Sequence, residues 1–129
     1  MQGKKIGFIF LTSILVILLF TACSSQEDKN IQLVRNGTMD MYPNAPIGKA
    51  FNQFFSNGKW TAFTSTANEQ IVEFNGNCYW LDESVPMKIQ FTVKNNSRFS
   101  LNYVGIDNVD MPQEVKADIL YGILEKYQP

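Results

Sequence analysis

The sequence predicts a two-layer α+β domain, in which a helix, a four-stranded antiparallel meander and a second helix follow in order. Three observations carry that reading. Four strand-like segments succeed one another across connections of three or four residues, too short for anything but antiparallel neighbours. The third of them alternates cleanly, with Met87, Ile89, Phe91 and Val93 against Lys88, Gln90, Thr92 and Lys94, so one face is apolar and the other wet. A segment of helical period flanks the meander on either side, supplying the cover that the apolar face requires.

The elements are justified in turn. Ser24–Asn30 (SSQEDKN) is polar and without apolar period, which predicts a flexible tether of at most ~25 Å when fully extended. Ile31–Val34 is a short apolar piece ending at the Asn36-Gly37 turn signal, and Met39–Pro46, with prolines at 43 and 46, reads as irregular. Ile47, Ala50, Phe51, Phe54 and Phe55 lie at offsets of three and four and predict a helix stopped by Asn57-Gly58. The strands follow as Trp60–Ser65, Gln70–Leu81, Val85–Val93 and Arg98–Ile106, the last with Phe99, Leu101 and Tyr103 on the apolar side. Pro112 suits the first position of a final helix, capped by Asp107 or Asp110, whose stripe is Val115, Ile119, Leu120, Ile123, Leu124 and Tyr127. The domain is thus expected over 31–129, behind a signal segment 1–22 and a tether 23–30.

That signal segment decides where the chain works. Lys4 and Lys5 precede an almost unbroken apolar run from Ile6 to Phe20, closed by Thr21-Ala22-Cys23. Fifteen residues at ~1.5 Å rise span only about 22 Å, short of the ~30 Å hydrocarbon core, which disfavours an uncleaved membrane span. The order of charge, apolar stretch, small residue and cysteine resembles the lipobox of bacterial lipoproteins, with Phe20 where leucine is usual. The resemblance implies that Cys23 is acylated and holds the mature chain to a membrane facing the periplasm or the cell exterior. Ser24 is not the aspartate that retains lipoproteins on the inner membrane of enteric bacteria, which favours the outer membrane's periplasmic face or the cell surface.

Loss of Lys4 and Lys5 with the signal leaves nine basic residues against twelve acidic ones, a net charge of −3. No basic block survives, so nucleic acid is not an expected partner. With Cys23 acylated, Cys78 has no partner within the chain, and its place beside Phe74 and Trp80 on one strand face predicts burial. There is no histidine, which removes the commonest general base, the imidazole-dependent triads and most zinc sites. Asp107, Asp110 and Glu114 lack the spacing of a calcium loop, and Asp82-Glu83 reads as a solvated hairpin. No cofactor, metal or catalytic residue is expected.

The aromatic residues are too many to lie on one face. Trp60 and Phe63 differ in strand parity, as do Tyr79 and Trp80, so one member of each pair points away from the helices. The expected contact surface is therefore the solvent face of the meander, with Trp60 or Phe63 and Tyr79 or Trp80 as anchors.

Beyond the signal, Val34-Arg35-Asn36-Gly37, Tyr42-Pro43, Ile47-Gly48-Lys49-Ala50-Phe51, Phe54-Phe55-Ser56, Lys59-Trp60 and Val72-Glu73-Phe74 with Gly76 and Cys78 resemble a group of small exported bacterial domains. These are chiefly lipoproteins without an assigned activity, so the resemblance implies export and no chemistry. In layout, helix–meander–helix also resembles the β-lactamase inhibitor protein and the outer-membrane assembly lipoproteins, a likeness of fold only. The expected function is non-enzymatic binding at the envelope, as an inhibitor, adaptor or assembly accessory with a protein partner. The alternatives are a carboxylate-based cell-wall hydrolase and an exclusion or immunity lipoprotein of a mobile element.

Overall fold

Strict alternation in Glu83–Lys94 organises the fold: Val85, Met87, Ile89, Phe91 and Val93 are buried on one face of this central strand. The computed structural model describes residues 25–95 and 97–129; the expected signal segment 1–22, Cys23 and Ser24 lie outside the described residues. The sheet runs in sequence order, β1 (Ser56–Thr64), β2 (Gln70–Trp80), β3 (Glu83–Lys94), β4 (Arg98–Ile106) and a two-residue β5 (Val109–Asp110), every pair antiparallel. Helices α1 (Gln26–Asn36), α2 (Ile47–Phe54) and α3 (Gln113–Glu125) complete it, an α+β fold with the expected helix–meander–helix order.

The core is aromatic at its centre. Phe51 of α2 stacks on Trp60 at 5.7 Å and 13° between planes, and its ring lies 4.8 Å from that of Phe74. Phe55 and Trp60 in turn lie 4.9 and 5.0 Å from Phe74. Each such pair adds about 0.5–1.5 kcal/mol beyond its burial, which gives an eight-residue helix the docking energy that its length cannot supply. Leu120, Ile123 and Leu124 bring α3 onto the same core.

Several expectations are corrected. The tether over 23–30 fails from Gln26 onward, where α1 begins: Ser25 caps the helix by accepting from the Asp28 backbone N–H at 3.1 Å, and Glu27 and Asp28 favour its positive end. Buried Asn30 accepts from Gln26 Nε2 at 2.9 Å and donates to Gln70 Oε1, tying α1 to the start of β2. Folded structure is therefore already present at Ser25–Asn30, ahead of residue 31. Asn57-Gly58 does not stop α2, which ends at Phe54; it forms a register shift inside β1, with Asn57 at φ 53°. A shift between Gln90 and Phe91 in the β3–β4 ladder pairs Gln90 with Tyr103 and Phe91 with Leu101. Asn102 is thereby left over, and Tyr103 moves from the expected apolar side to the solvent face. The final helix has Pro112 at its cap and no side-chain cap, so neither Asp107 nor Asp110 performs that role; Asp110 lies in β5. Among the described residues, the buried core runs from Val34 to Leu124, with Ile31, Leu33 and Tyr127 packed against it.

Candidate functional site

Strand parity sorts the four candidate aromatics. Trp60 pairs across from Phe74 and faces the core, half-buried on Phe51. Phe63, opposite Ile71, faces the other way and is 38% exposed. Tyr79 shares that outer face and is 81% exposed. Trp80 lies on the inner side, but β2 runs past the helices there and leaves it 48% exposed, short of the burial its parity predicts. Cys23 lies outside the described residues.

The two aromatics that reach the solvent face, Phe63 and Tyr79, do not lie together. Phe63 and Tyr79 lie near opposite ends of the β1–β2 pair, about 26 Å apart along β2 at ~3.3 Å per residue. Between them sits a polar network. The Glu73 carboxylate accepts from Asn75 Nδ2 and Gln90 Nε2, each at 2.8 Å, with Lys88 Nζ at 3.7 Å from one oxygen. Both oxygens are engaged by neighbours on the sheet, which suits a structural carboxylate better than a general acid or base. Ile71 and Thr92 are buried within this face, so it is less uniformly wet than the alternation predicts. Tyr103 does not supply a stacking platform either: its ring lies against Gly105, where a Cβ would approach to 2.6 Å, and Lys116 Nζ stands 5.7 Å from its centre.

What the structure brings together is the β2–β3 hairpin end. Tyr79, Trp80 and Leu81 are consecutive and exposed, Leu81 at 85%. Leu81 and Asp82 form the two-residue turn with φ of 51° and 64°. Positive φ at both central positions marks the primed hairpin turn, for which Asn-Gly or Asp-Gly is preferred. The β4–β5 turn has the same signature and uses Asp107 and Asn108, which tolerate it. A leucine held there at full exposure breaks the turn chemistry and buries nothing.

Behind this hairpin, on the helix side, lies an apolar groove of about 270 Å³, floored by Cys78, Met87, Ile119 and Gly122 and flanked by Phe54 and Trp80. Gly122 opens it, since a Cβ at that position would meet nothing within 4 Å. Burial raises the Cys78 thiol above its ordinary value of 9.0, so it is a thiol filler and not a nucleophile at neutral pH. Sequence reasoning missed Leu81 and Gly122. The signal for Leu81 is legible in retrospect as Leu-Asp where a tight hairpin asks for Asn-Gly; Gly122 gives none.

The acidic candidates stay solvated: Asp82, Glu83, Asp107, Asp110 and Glu114 are all exposed. Among the described residues, no group of three or more histidine, cysteine, aspartate or glutamate side chains is placed to hold a metal ion, and no helix is long and apolar enough to cross a membrane. Comparison of the chain with protein-family models, with curated proteins and with solved structures gives no match.

Proposed function

We propose that this chain is an exported lipoprotein, anchored through Cys23 at the cell envelope, whose domain is a non-enzymatic binding module acting as adaptor, inhibitor or assembly accessory. The observation that supports it best is the hairpin end Tyr79-Trp80-Leu81. Exposed aromatic and aliphatic side chains beside an apolar groove have the composition of an interface hot spot. The hairpin also lies at the end of β2 remote from Gln70, to which α1 is tied, so a chain anchored before Ser25 presents it away from the membrane.

Two measurements test this reading. Radiolabelled palmitate should enter the wild-type chain and not the Cys23→Ala variant; an unlabelled mature chain that starts elsewhere removes the anchor. Affinity capture from detergent extracts should then yield a stoichiometric protein partner, lost in a Tyr79→Ala, Trp80→Ala double variant. Turnover of peptidoglycan fragments, abolished by an Asp or Glu substitution, would replace binding with hydrolysis.

A further inference from the structure

We propose that the outer edge of β1, from Trp60 to Thr64, is a strand-addition site. Its occupant is an extended segment of another protein, antiparallel to β1, basic at its N-terminal end and acidic at its C-terminal end. This surface is separate from the hairpin end Tyr79-Trp80-Leu81 and gives the module a second contact.

Register fixes which backbone groups face outward. The two-residue turn at Leu81-Asp82 makes Trp80 and Glu83 a hydrogen-bonded pair, and β2 pairs with β3 without a shift. Even-numbered residues of β2 therefore bond β3, and odd-numbered ones bond β1. The far end of β1 agrees, where Ser65 N–H donates to the Glu69 carbonyl at 2.8 Å. Lys59, Thr61 and Phe63 thus bond Asn75, Glu73 and Ile71. Trp60, Ala62 and Thr64 turn their N–H and C=O groups the other way, and no other element among the described residues meets them.

The opposite edge of the sheet is closed. β5 pairs with Gly105 and Ile106, Met111 N–H donates to the Val104 carbonyl at 2.9 Å, and Lys116 Nζ reaches the Asn102 carbonyl at 3.4 Å. On β1 such protection stops short. The register shift lies between Ser56 and Lys59, Lys59 is the last charge, and Trp60–Thr64 (WTAFT) contains no proline, charge or bulge. One edge is blunted, and the other presents five β-prone residues.

Backbone chemistry selects the occupant. The outward groups of Trp60, Ala62 and Thr64 repeat every ~6.6 Å, a spacing matched by another strand and not by an ion or a small ligand. A cavity of about 390 Å³ beside Thr64, with Ser25, Glu27 and Phe63 in its lining, leaves that end of the edge open. Glu27 stands there and Lys59 lies about 16 Å away along β1, neither in an ion pair among the described residues. Antiparallel pairing is the more stable geometry, and it brings the N-terminal end of the incoming strand to Thr64. A base at that end then meets Glu27, and an acid at the other meets Lys59. Exposed Phe63 offers an apolar contact to one alternate side chain. A bare strand needs only the ~4.8 Å of one more ladder position, whereas a second copy would bring its own α1 N-terminus to the edge as well.

Peptide titration of the isotope-labelled full chain in detergent micelles tests the site, with the end-blocked peptide KTVTVTE and its charge-exchanged counterpart ETVTVTK. KTVTVTE should bind saturably below about 1 mM and slow hydrogen exchange at the Trp60, Ala62 and Thr64 amides. ETVTVTK should bind about threefold more weakly. Ala62→Pro deletes one outward N–H that β2 does not use, and should weaken KTVTVTE by about tenfold. Lys59→Glu leaves the backbone intact and should erase the preference between the peptides. The site is overturned by absence of saturable binding, by protection at other amides, by equal binding of the two peptides, or by a folded Ala62→Pro variant that binds as wild type does. Edge amides already protected in a chain that sediments as a dimer would give the edge to a second copy instead. The Tyr79→Ala, Trp80→Ala double variant should bind KTVTVTE unchanged, so this test and the capture experiment above fail separately.

Discussion

Neighbouring aromatics on β2 and β1 have unequal duties, and truncation separates them. Trp60 stacks on Phe51 and touches Phe74, so Trp60→Ala should lower the unfolding free energy by about 3 kcal/mol in urea titrations. Phe63→Ala and Tyr79→Ala remove exposed rings and should stay within about 0.5 kcal/mol of wild type. Cys78 gives a pH signature. Burial raises its folded pKa, so the unfolded chain loses this proton first, and the stability the group contributes is complete below 9.0 and is lost as pH rises beyond that toward the folded value. Thermal melts should therefore decline more steeply above about pH 9 for the wild type than for Cys78→Ala, with parallel curves at neutral pH.

At the scale of elements, helix ends are the sensitive points. Ser25→Ala removes the hydroxyl that accepts from Asp28 N–H and should cost about 1 kcal/mol, read as a lower denaturation midpoint at unchanged slope. Gly122→Ala should do the opposite and gain about 0.5–1 kcal/mol, since its Cβ enters open space. The meander and the last two helices were legible in the sequence because each buries one regular face, and burial writes a period into the residues. The first helix was not, because it fully buries only Asn30 and Val34, adds half-buried Ile31 and Leu33, and shows no apolar period before Ile31. Its start was nonetheless written in Ser25 and Asp28, a hydroxyl three residues before a carboxylate. Tyr103 was misplaced for a different reason: a single extra residue in a ladder reverses every side chain beyond it, and nothing in the local pattern around Asn102 announces that shift. The split of the aromatic pairs was readable from parity alone, whereas the groove depends on which side chain is missing from α3 and so had no signature.

At the scale of the molecule, the corrected boundary is itself testable. A chain begun at Ile31 loses the Ser25 cap and the Asn30–Gln70 hydrogen bond, and should unfold with at least about 2 kcal/mol less resistance than one begun at Ser25, by urea titration of both. The same boundary has a mechanical consequence. On a chain held at Cys23, α1 starts three residues later and is tied to Gln70, while β2 carries the chain about 33 Å from Gln70 to Trp80. If the chain is anchored at Cys23, as proposed, the exposed Tyr79-Trp80-Leu81 hairpin end lies a full strand length from the point where α1 is tied, and that length sets the height at which a partner would meet it.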